Sequence, residues 1–481
     1  MRTLIFILAC LLLIIPCQAR TITVDYSDPA AFDNIQAAID DSSTGDIVEV
    51  RPGTYTGIGN RDIDFGGRAI TVRSTDPNNH QIVDSTIIDC QGAGRGFVFH
   101  TGEGAESVIA GLTIINGYDS FIAGAIRCYS SSSPTVSNCV ISDNSAMTYG
   151  GGISCESGSN PVISNCVIKN NSVSYGFGGG VFCDAGSPTI RNTLITGNTA
   201  VIGGGISCAA SNAVLRNCTL RGNTGSSQGG GIYCSNSSDV TVENSILWGD
   251  TSSKGPEIVV SKSGGASSLT VSYCDVQGGE QAAVVEQDCT LNWGSENIDD
   301  DPCFATGLLG DSYLSQTAAD QLWDSPCVDA GSGLAANLGL DEFTTRTDGL
   351  GDLDIVDMGY HYPSSSEQPA ISAGIDIKPG TINLASKARW INCFIRLPEG
   401  YNVADIQTAS IVFPGEEIKA EGISVDEAEQ VAMARFSRSQ LQANLGIGDS
   451  VTVTVSGELA GGTIFEGTDT IRVIGKGGKK K

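Results

Sequence analysis

Short apolar runs alternate with turn residues along residues 85–276 of this 481-residue chain, and the runs recur about every 27 residues. In residues 134–155 the runs are ThrValSer, CysValIleSer and GlyIleSerCys, each too short for a helix. Three short strands per period predict one coil of a parallel β-helix. Equivalent residues of successive coils should then lie one strand spacing apart, ~4.8 Å.

Three sets of equivalent positions recur with this period, and we call them columns. The first opens the second run of each repeat, as Cys139 and Cys166 do, and the second is a cysteine that usually follows a glycine triplet. The third holds only glycine, asparagine or aspartate, which tolerate a left-handed bend, so we expect a sharp turn there and side chains hydrogen-bonded along the solenoid. This turn ladder comprises Gly117, Asn144, Asn171, Asn198, Asn223 and Asp250.

The columns also explain most of the 16 cysteines. Stacked equivalent residues have parallel Cα–Cβ bonds, which is poor disulfide geometry, and cysteine packs readily as a small core residue. We therefore expect the columnar cysteines to be buried and unpaired. The chain has no Cys-x-x-Cys pair and only three scattered histidines, so we expect no zinc site and structural roles for His80, His100 and His361.

Residues 20–84 precede the regular repeats and predict a cap. Phe32–Ile39 has the pattern of a short amphipathic helix, which would cover the open end of the first coil. The phrases IleGlnAlaAlaIle, GlyAsp and ProGlyThrTyr follow in this order within residues 35–55. This stretch closely resembles the opening of pectin-lyase-like right-handed β-helix proteins, and the coils resemble the same superfamily over roughly residues 21–363. The resemblance implies an all-β, right-handed parallel β-helix with its repeats at 85–289.

Residues 290–363 no longer follow the 27-residue repeat. They contain AspProCysPhe, AspSerProCysValAspAlaGly and ValAspMetGlyTyrHisTyrPro, which are similar to phrases at the C-terminal exit of many secreted bacterial β-helix proteins. Cys303 and Cys327 lie in this exit region, outside the columns. We predict that they form a disulfide that ties down an irregular cap.

The C-terminal part of the chain predicts a separate domain. Residues 364–370 have the composition of a linker, and residues 371–475 alternate between apolar and polar positions with turns every 8–12 residues. This pattern favours an immunoglobulin-like β-sandwich with one short helix at Ser439–Leu445. The region resembles modules opening with IleAspIleLysProGly that are appended to secreted bacterial proteins, which implies attachment or spacing. Residues 476–481 form a basic tail.

Composition and charge limit the possible cellular locations of the protein and the classes of its binding partners. Residues 1–19 have the charged start, apolar run and small-residue end of a secretory signal peptide, so a secreted or cell-surface protein is expected. No other segment is apolar enough to span a membrane. The net charge of −27 argues against nucleic acid as a partner. The expected partner is therefore a polysaccharide or another cell-surface component. The sequence does not determine the oligomeric state.

Two functional hypotheses stay open. The resemblance implies a polysaccharide lyase or a glycoside hydrolase, which should show a column of charged residues on adjacent coils. Arg191 and Arg216 share such a column and could clamp a carboxylate, but we find no stacked acidic pair beside them and name no catalytic residue. The absence of such a pair in the columns favours the other hypothesis, a secreted or cell-surface β-helix protein that binds glycan, or another surface partner, without cleaving it. A lyase or hydrolase is the alternative.

An acidic cluster in the exit region is a candidate calcium site. AspGlyLeuGlyAspLeuAspIleValAsp puts several carboxylates within ten residues, as calcium-binding loops do, although the spacing is not that of an EF-hand. We expect any such calcium to be structural. The candidate ligands are Asp348, Asp352, Asp354 and Asp357.

Overall fold

The computed structural model of the protein describes residues 19–364, 371–386, 388–398, 401–413, 416–426, 428–459 and 464–475. The expected signal peptide up to residue 18, the linker from residue 365 and the basic tail lie outside the described residues. The chain divides into two compact units. The first holds the residues up to 306 with 311–345 and 352–363, and the second holds 307–310, 346–351 and the residues from 364 onward.

The first unit is a parallel β-solenoid of about 10 turns, as the repeats predict. Each regular coil gives, in chain order, one strand to a first sheet, a second sheet, a narrow sheet and a third sheet. The first sheet contains Thr21–Val24, Ile47–Val50, Thr71–Ser74, Val108–Ala110, Thr135–Ser137, Val162–Ser164, Thr189–Arg191, Val214–Arg216, Asp239–Glu243, Ser268–Ser272 and Thr290–Trp293. The second contains Gly53–Tyr55, Thr86–Asp89, Thr113–Ile115, Val140–Ser142, Val167–Lys169, Leu194–Thr196, Thr219–Arg221, Ile246–Trp248 and Asp275–Val276.

The other two sheets complete each coil. The narrow sheet contains Tyr118–Asp119, Ser145–Ala146, Ser172–Val173, Thr199–Ile202, Thr224–Gln228 and Thr251–Ser252. The third contains Ile63–Asp64, Phe97–Phe99, Ile126–Cys128, Ile153–Glu156, Val181–Asp184, Ile206–Ala209, Ile232–Ser235, Ile258–Val260 and Val284–Val285. Short helices at Ile35–Asp41, His80–Ser85 and Gly279–Ala282 lie between strands.

The predicted columns stack coil on coil. Val140 pairs with Val167 in parallel register, so the adjoining Cys139 and Cys166 are neighbours, and Cys155 pairs directly with Cys183. The cysteines of both columns are buried and unbonded. They belong to one core cluster with the inward isoleucines, leucines and valines of the sheets, which confirms that they serve as interior packing residues.

The predicted N-terminal cap is a helix at Ile35–Asp41, about two residues later than the sequence indicates. Asn34 caps it by accepting a hydrogen bond from the Ala37 amide. Ile35 and Ile39 are fully buried in the same cluster as the solenoid core. The helix therefore covers apolar side chains that the first coil would otherwise expose.

The asparagine ladder is a continuous row of buried hydrogen bonds. Asn171 Nδ2 donates to Asn198 Oδ1 at 3.0 Å, and the Asn171 backbone amide donates to the same oxygen at 2.9 Å. The pattern repeats from Asn144 through Asn223 and ends on Asp250. All four asparagines are fully buried, so each amide satisfies groups that water cannot reach.

The expected left-handed bend lies one residue earlier than predicted. The residues with positive φ directly precede the ladder: Asn116, Asp143, Asn170, Gly197, Gly222 and Gly249. The ladder side chain must point inward to meet its neighbours, so the exposed residue before it makes the turn. A second left-handed corner recurs before each first-column residue, at Asn138, Asn165, Asn192, Asn217, Asn244 and Tyr273.

The exit region folds back along this second corner. The Asn192 side chain exchanges two hydrogen bonds with the backbone of His361, at 2.7 and 3.0 Å, and Thr219 Oγ1 accepts from the Tyr360 amide. Asn244 Oδ1 accepts from the Ser332 amide at 2.9 Å. We call residues 357–361 the exit strap. Other elements of this region are Phe304–Gly307, Gly310–Leu314, Thr317–Ala319, Ala335–Leu338, Phe343–Thr344 and Tyr362–Pro363.

The predicted disulfide of this region is absent. Cys303 and Cys327 are both free. Cys327 is buried, and its thiol donates to Asp275 Oδ2 at 3.1 Å, whereas the partly exposed Cys303 thiol contacts the Asp301 carbonyl. The strap and the buried Asp275–Cys327 contact hold the exit region in its place, so the prediction was wrong about how this region is anchored.

The second unit has two mainly antiparallel sheets that fit a β-sandwich, and in one of them Ile371–Ser372 and Thr381–Asn383 pair in parallel with Ile464–Ile474. One contains Gly374–Lys378, Trp390–Arg396, Val431–Ser437 and Gly422–Asp426. The other contains Ile371–Ser372, Thr381–Asn383, Ile406–Phe413, Glu416–Lys419, Gly448–Leu459 and Ile464–Ile474. Inward residues of both sheets form one core cluster. The predicted helix is at Arg438–Asn444, and a 3-10 turn lies at Val403–Asp405.

Candidate functional site

A groove with a cavity of about 770 Å³ lies against the third sheet. We call it the third-sheet groove and divide its lining into four parts. The wall contains Phe121, Tyr149, Phe177 and Ile202; the floor contains Phe182 and Tyr233; the acidic edge contains Glu156 and Asp184; the far end contains Lys262 and Glu286.

The glycine triplets create the wall. Tyr149, Phe177 and Ile202 each directly precede a triplet and pair with one another in parallel from coil to coil. The first glycine that follows takes a left-handed φ, as in Gly150 at +63°, and turns the chain sharply into the third sheet. A Cβ on the next residue, Gly151, would lie 2.5 Å from the Gly179 carbonyl oxygen, so the coils approach too closely for any larger residue.

The floor and the edge of the groove arise because successive side chains of a strand point to opposite faces of the sheet. Cys183 faces the solenoid core, so its neighbours Phe182 and Asp184 lie on the opposite face, towards the groove. Tyr233 precedes Cys234 in the same way two coils later. The wall and floor rings contact one another: Tyr149 stacks on Phe182 with centroids 4.7 Å apart and on Phe177 at 5.9 Å.

The acidic edge places two carboxylates on neighbouring coils. Glu156 and Asp184 are partners in the parallel register, and Ala209 follows on the next coil. Arg127 binds both Glu156 oxygens, each at 3.0 Å, and Ser154 Oγ donates to the same carboxylate at 2.8 Å. Glu156 is therefore held in one orientation by a bidentate ion pair.

Asp184 has no such support. Its side chain is exposed and makes no hydrogen bond or ion pair within the described part of the chain. Partial burial in the groove raises the pKa of this carboxyl, and the neighbouring charge of Glu156 raises it further. The pair thus consists of one fixed carboxylate and one that accepts a proton more readily than an ordinary aspartate.

The charges at the far end of the groove neutralise one another. Lys254 Nζ lies 2.7 Å from Glu286 Oε1, and Ser261 Oγ donates to the other oxygen. These hydrogen bonds lower the pKa of Glu286 to about 2. Lys262 pairs with Asp288.

The predicted arginine pair is on a different sheet. Arg191 and Arg216 are in-register neighbours at the ends of first-sheet strands, as expected from their column. The next residue of that column is Glu243, and its carboxylate binds Arg216 at 3.0 Å. Arg191 and Arg216 do not line the third-sheet groove, so the structure does not bring the predicted binding residues and the groove together.

The predicted calcium ligands have different partners, and two of them, Asp352 and Asp357, are neighbours. Asp348 pairs with Arg346, whereas buried Asp352 contacts His361 Nε2 at 3.0 Å and accepts from the Asp357 amide. Asp357 is also buried and accepts from Gln316 Nε2 at 3.2 Å and from Thr345 Oγ1, while Asp354 is exposed. Among the residues that the structure describes, no group of three or more His, Cys, Asp or Glu could hold a metal ion.

Sequence reasoning missed the groove, although its signals are in the columns. Three of the four wall residues, Tyr149, Phe177 and Ile202, directly precede a glycine triplet. The floor residue is the one before a second-column cysteine, and the edge residue is the one after it. The acidic pair on adjacent coils that the sequence search did not find is Glu156 and Asp184.

Comparisons with known proteins agree with this architecture. The family model of the right-handed β-helix region matches residues 35–202 and 177–299, together more than half of the chain. No curated protein matches the chain significantly. In addition, no helix among the described residues is long and apolar enough to cross a membrane.

Solved structures that match the chain include three of low sequence identity. Pectate lyase Pel9A is 15% identical over 65% of this chain and 92% of its own, with a TM-score of 0.41. Pectin methylesterase from carrot is 13% identical over 56% and 86%, with a TM-score of 0.36. ORF18 of Geobacillus virus E2 is 13% identical over 94% and 76%, with a TM-score of 0.30. On the family match, this chain belongs to the right-handed β-helix family.

Proposed function

We propose that this protein binds a glycan chain in the third-sheet groove. The observation that carries the proposal is the aromatic lining, in which Tyr149, Phe177 and Phe182 contact one another next to two carboxylates. Sugar rings have an apolar face of C–H groups and an equator of hydroxyls. Aromatic rings pack against the first, and carboxylates accept hydrogen bonds from the second.

The periodicity of the groove supports a polymer as the ligand. Four neighbouring coils each give one wall residue, and two of them also give an edge carboxylate, so contacts repeat along the solenoid at the strand spacing of ~4.8 Å. A sugar unit in an extended chain advances by a comparable length. If residues 1–19 direct export, the glycan would be met outside the cell.

Binding to a panel of immobilised glycans tests the proposal. Tyr149→Ala should weaken retention of the bound glycan at least about fivefold, because an aromatic contact contributes roughly 1 kcal/mol beyond its buried area. Tyr175→Ala is the matched control, since Tyr175 is an exposed tyrosine outside the groove. Equal effects of the two substitutions, or no retention on any glycan, would refute the proposal.

Glycan hydrolysis is a second candidate because of the acidic edge. A glycoside hydrolase needs one carboxyl that donates a proton and one that stays ionised. Asp184, with its raised pKa, fits the first role, and Glu156, held by Arg127, fits the second. New reducing ends from a bound glycan, lost in both Asp184→Asn and Glu156→Gln, would establish hydrolysis. Release of unsaturated products instead would establish a lyase.

A further inference from the structure

The charged side chains of the third-sheet groove are paired with one exception. Glu156 is bound by Arg127, Glu286 by Lys254, and Lys262 by Asp288. Asp184 is the only charged lining residue without a side-chain partner in the described part of the chain. The groove therefore presents one uncompensated negative charge, close to its aromatic wall.

The surroundings of Asp184 offer it no cation. Its in-register neighbours are Glu156 on one side, which repels it, and Ala209 on the other, which is neutral. The adjoining rings, Phe182 among them, have electron-rich faces that attract cations and not anions. Repulsion from Glu156 and the ring faces both favour a positive group at this position.

We infer that the glycan bound in the third-sheet groove is an amino-sugar polymer, with a protonated amine paired to Asp184. This inference rests on the proposed glycan-binding function and names its ligand class. An ammonium group on the sugar ring can donate to the Asp184 carboxylate while the C–H face of the same ring packs on the wall. A polyuronate would instead bring its carboxylates against Glu156 and Asp184.

Two oligomers of equal length distinguish the contribution of the amine to binding from the contribution of the sugar ring. We expect a glucosamine oligomer to bind at least about tenfold more tightly than the N-acetylglucosamine oligomer, measured by titration calorimetry at mildly acidic pH. Asp184→Asn should remove this preference and leave binding of the acetylated oligomer within about twofold. The control is Asp143→Asn, which makes the same charge change at an exposed aspartate outside the groove.

The wild-type protein supplies a test that does not depend on a variant. Its preference for the glucosamine oligomer should fall steeply with added salt, because an exposed ion pair is screened. Equal binding of the two oligomers, or a preference unchanged by salt, overturns the inference and leaves the proposed function intact. Binding of oligogalacturonate alone, with or without calcium, also overturns it. Binding of no glycan at all refutes the proposed function itself.

Discussion

Asp250 is the single carboxyl in a column of amides, and it ends the ladder. Its Oδ1 accepts two hydrogen bonds from Asn223. The backbone amide of Asp250 donates to Glu257 Oε1. The second oxygens, Asp250 Oδ2 and Glu257 Oε2, are buried without a donor. Burial raises the pKa of both carboxyls, and the facing Asp250 raises that of Glu257 further. A proton held between them satisfies both oxygens.

Asp250→Asn should therefore stabilise the protein at alkaline pH. A folded-state pKa above the unfolded value means that stability is complete below the unfolded pKa and is lost as pH rises through the folded one. An amide at position 250 donates to Glu257 without needing a shared proton, so we expect a gain of roughly 1–2 kcal/mol at alkaline pH and little change in mild acid. Denaturant unfolding at the two pH values measures this, and a gain that is equal at both would contradict it.

Thiol accessibility should separate two classes of cysteine. Cys289 and Cys303 are partly exposed, whereas the columnar cysteines and Cys327 are buried, and burial raises the pKa of the Cys327 thiol well above its usual range. We expect an alkylating reagent to label only Cys289 and Cys303 among the described cysteines of the native protein, and the others after unfolding. Peptide mapping without a reductant checks this. A crosslinked peptide containing Cys303 and Cys327 would contradict the structure.

At the scale of the coil, the ladder is the element whose loss should cost most. Asn198 lies in its middle, and its Nδ2 donates to Asn223 and to the Ile168 carbonyl, each at 2.9 Å. Asn198→Ala leaves buried groups of adjacent coils without partners, so we expect a loss of roughly 3 kcal/mol in the free energy of unfolding. Asn212→Ala, at an exposed asparagine, should cost little. A loss below about 1 kcal/mol for Asn198→Ala would show that the ladder is not a major source of stability.

The coil also shows which structural features could be predicted from the sequence and which could not. Stacking of Cys139 on Cys166 follows from the period alone, because every residue of a coil repeats with it. The position of the left-handed bend did not follow, because Asn170 and Asn171 are the same residue type and only the fold decides which one turns. The groove did not follow either, because Tyr149 and Phe182 are 33 positions apart and meet only when the glycine turn closes the coil.

At the scale of the whole molecule, the main core cluster of the solenoid and that of the second unit share no residue. The second unit buries residues such as Phe436 and Phe465 in a core of its own, between two sheets. We expect a fragment that begins at residue 364 to unfold cooperatively, with a β-type circular dichroism spectrum and a melting temperature close to that of one transition in the full chain. A fragment without a transition would show that the second unit depends on the solenoid.

The exit strap limits how this molecule can evolve in length. Four coils each give one wall residue, so duplicating one of them would lengthen the third-sheet groove by a single step. Duplication between Asn192 and Asn244 would separate two of the points at which the exit region is held, since these asparagines bind residues 169 and 88 positions further along the chain. Within the described part of the chain, the strap's hydrogen bonds to the solenoid go to Asn192, Asn217, Thr219 and Asn244, and the coils before Asn165 make none. Length variants among the descendants of this gene should therefore arise by duplication on the N-terminal side.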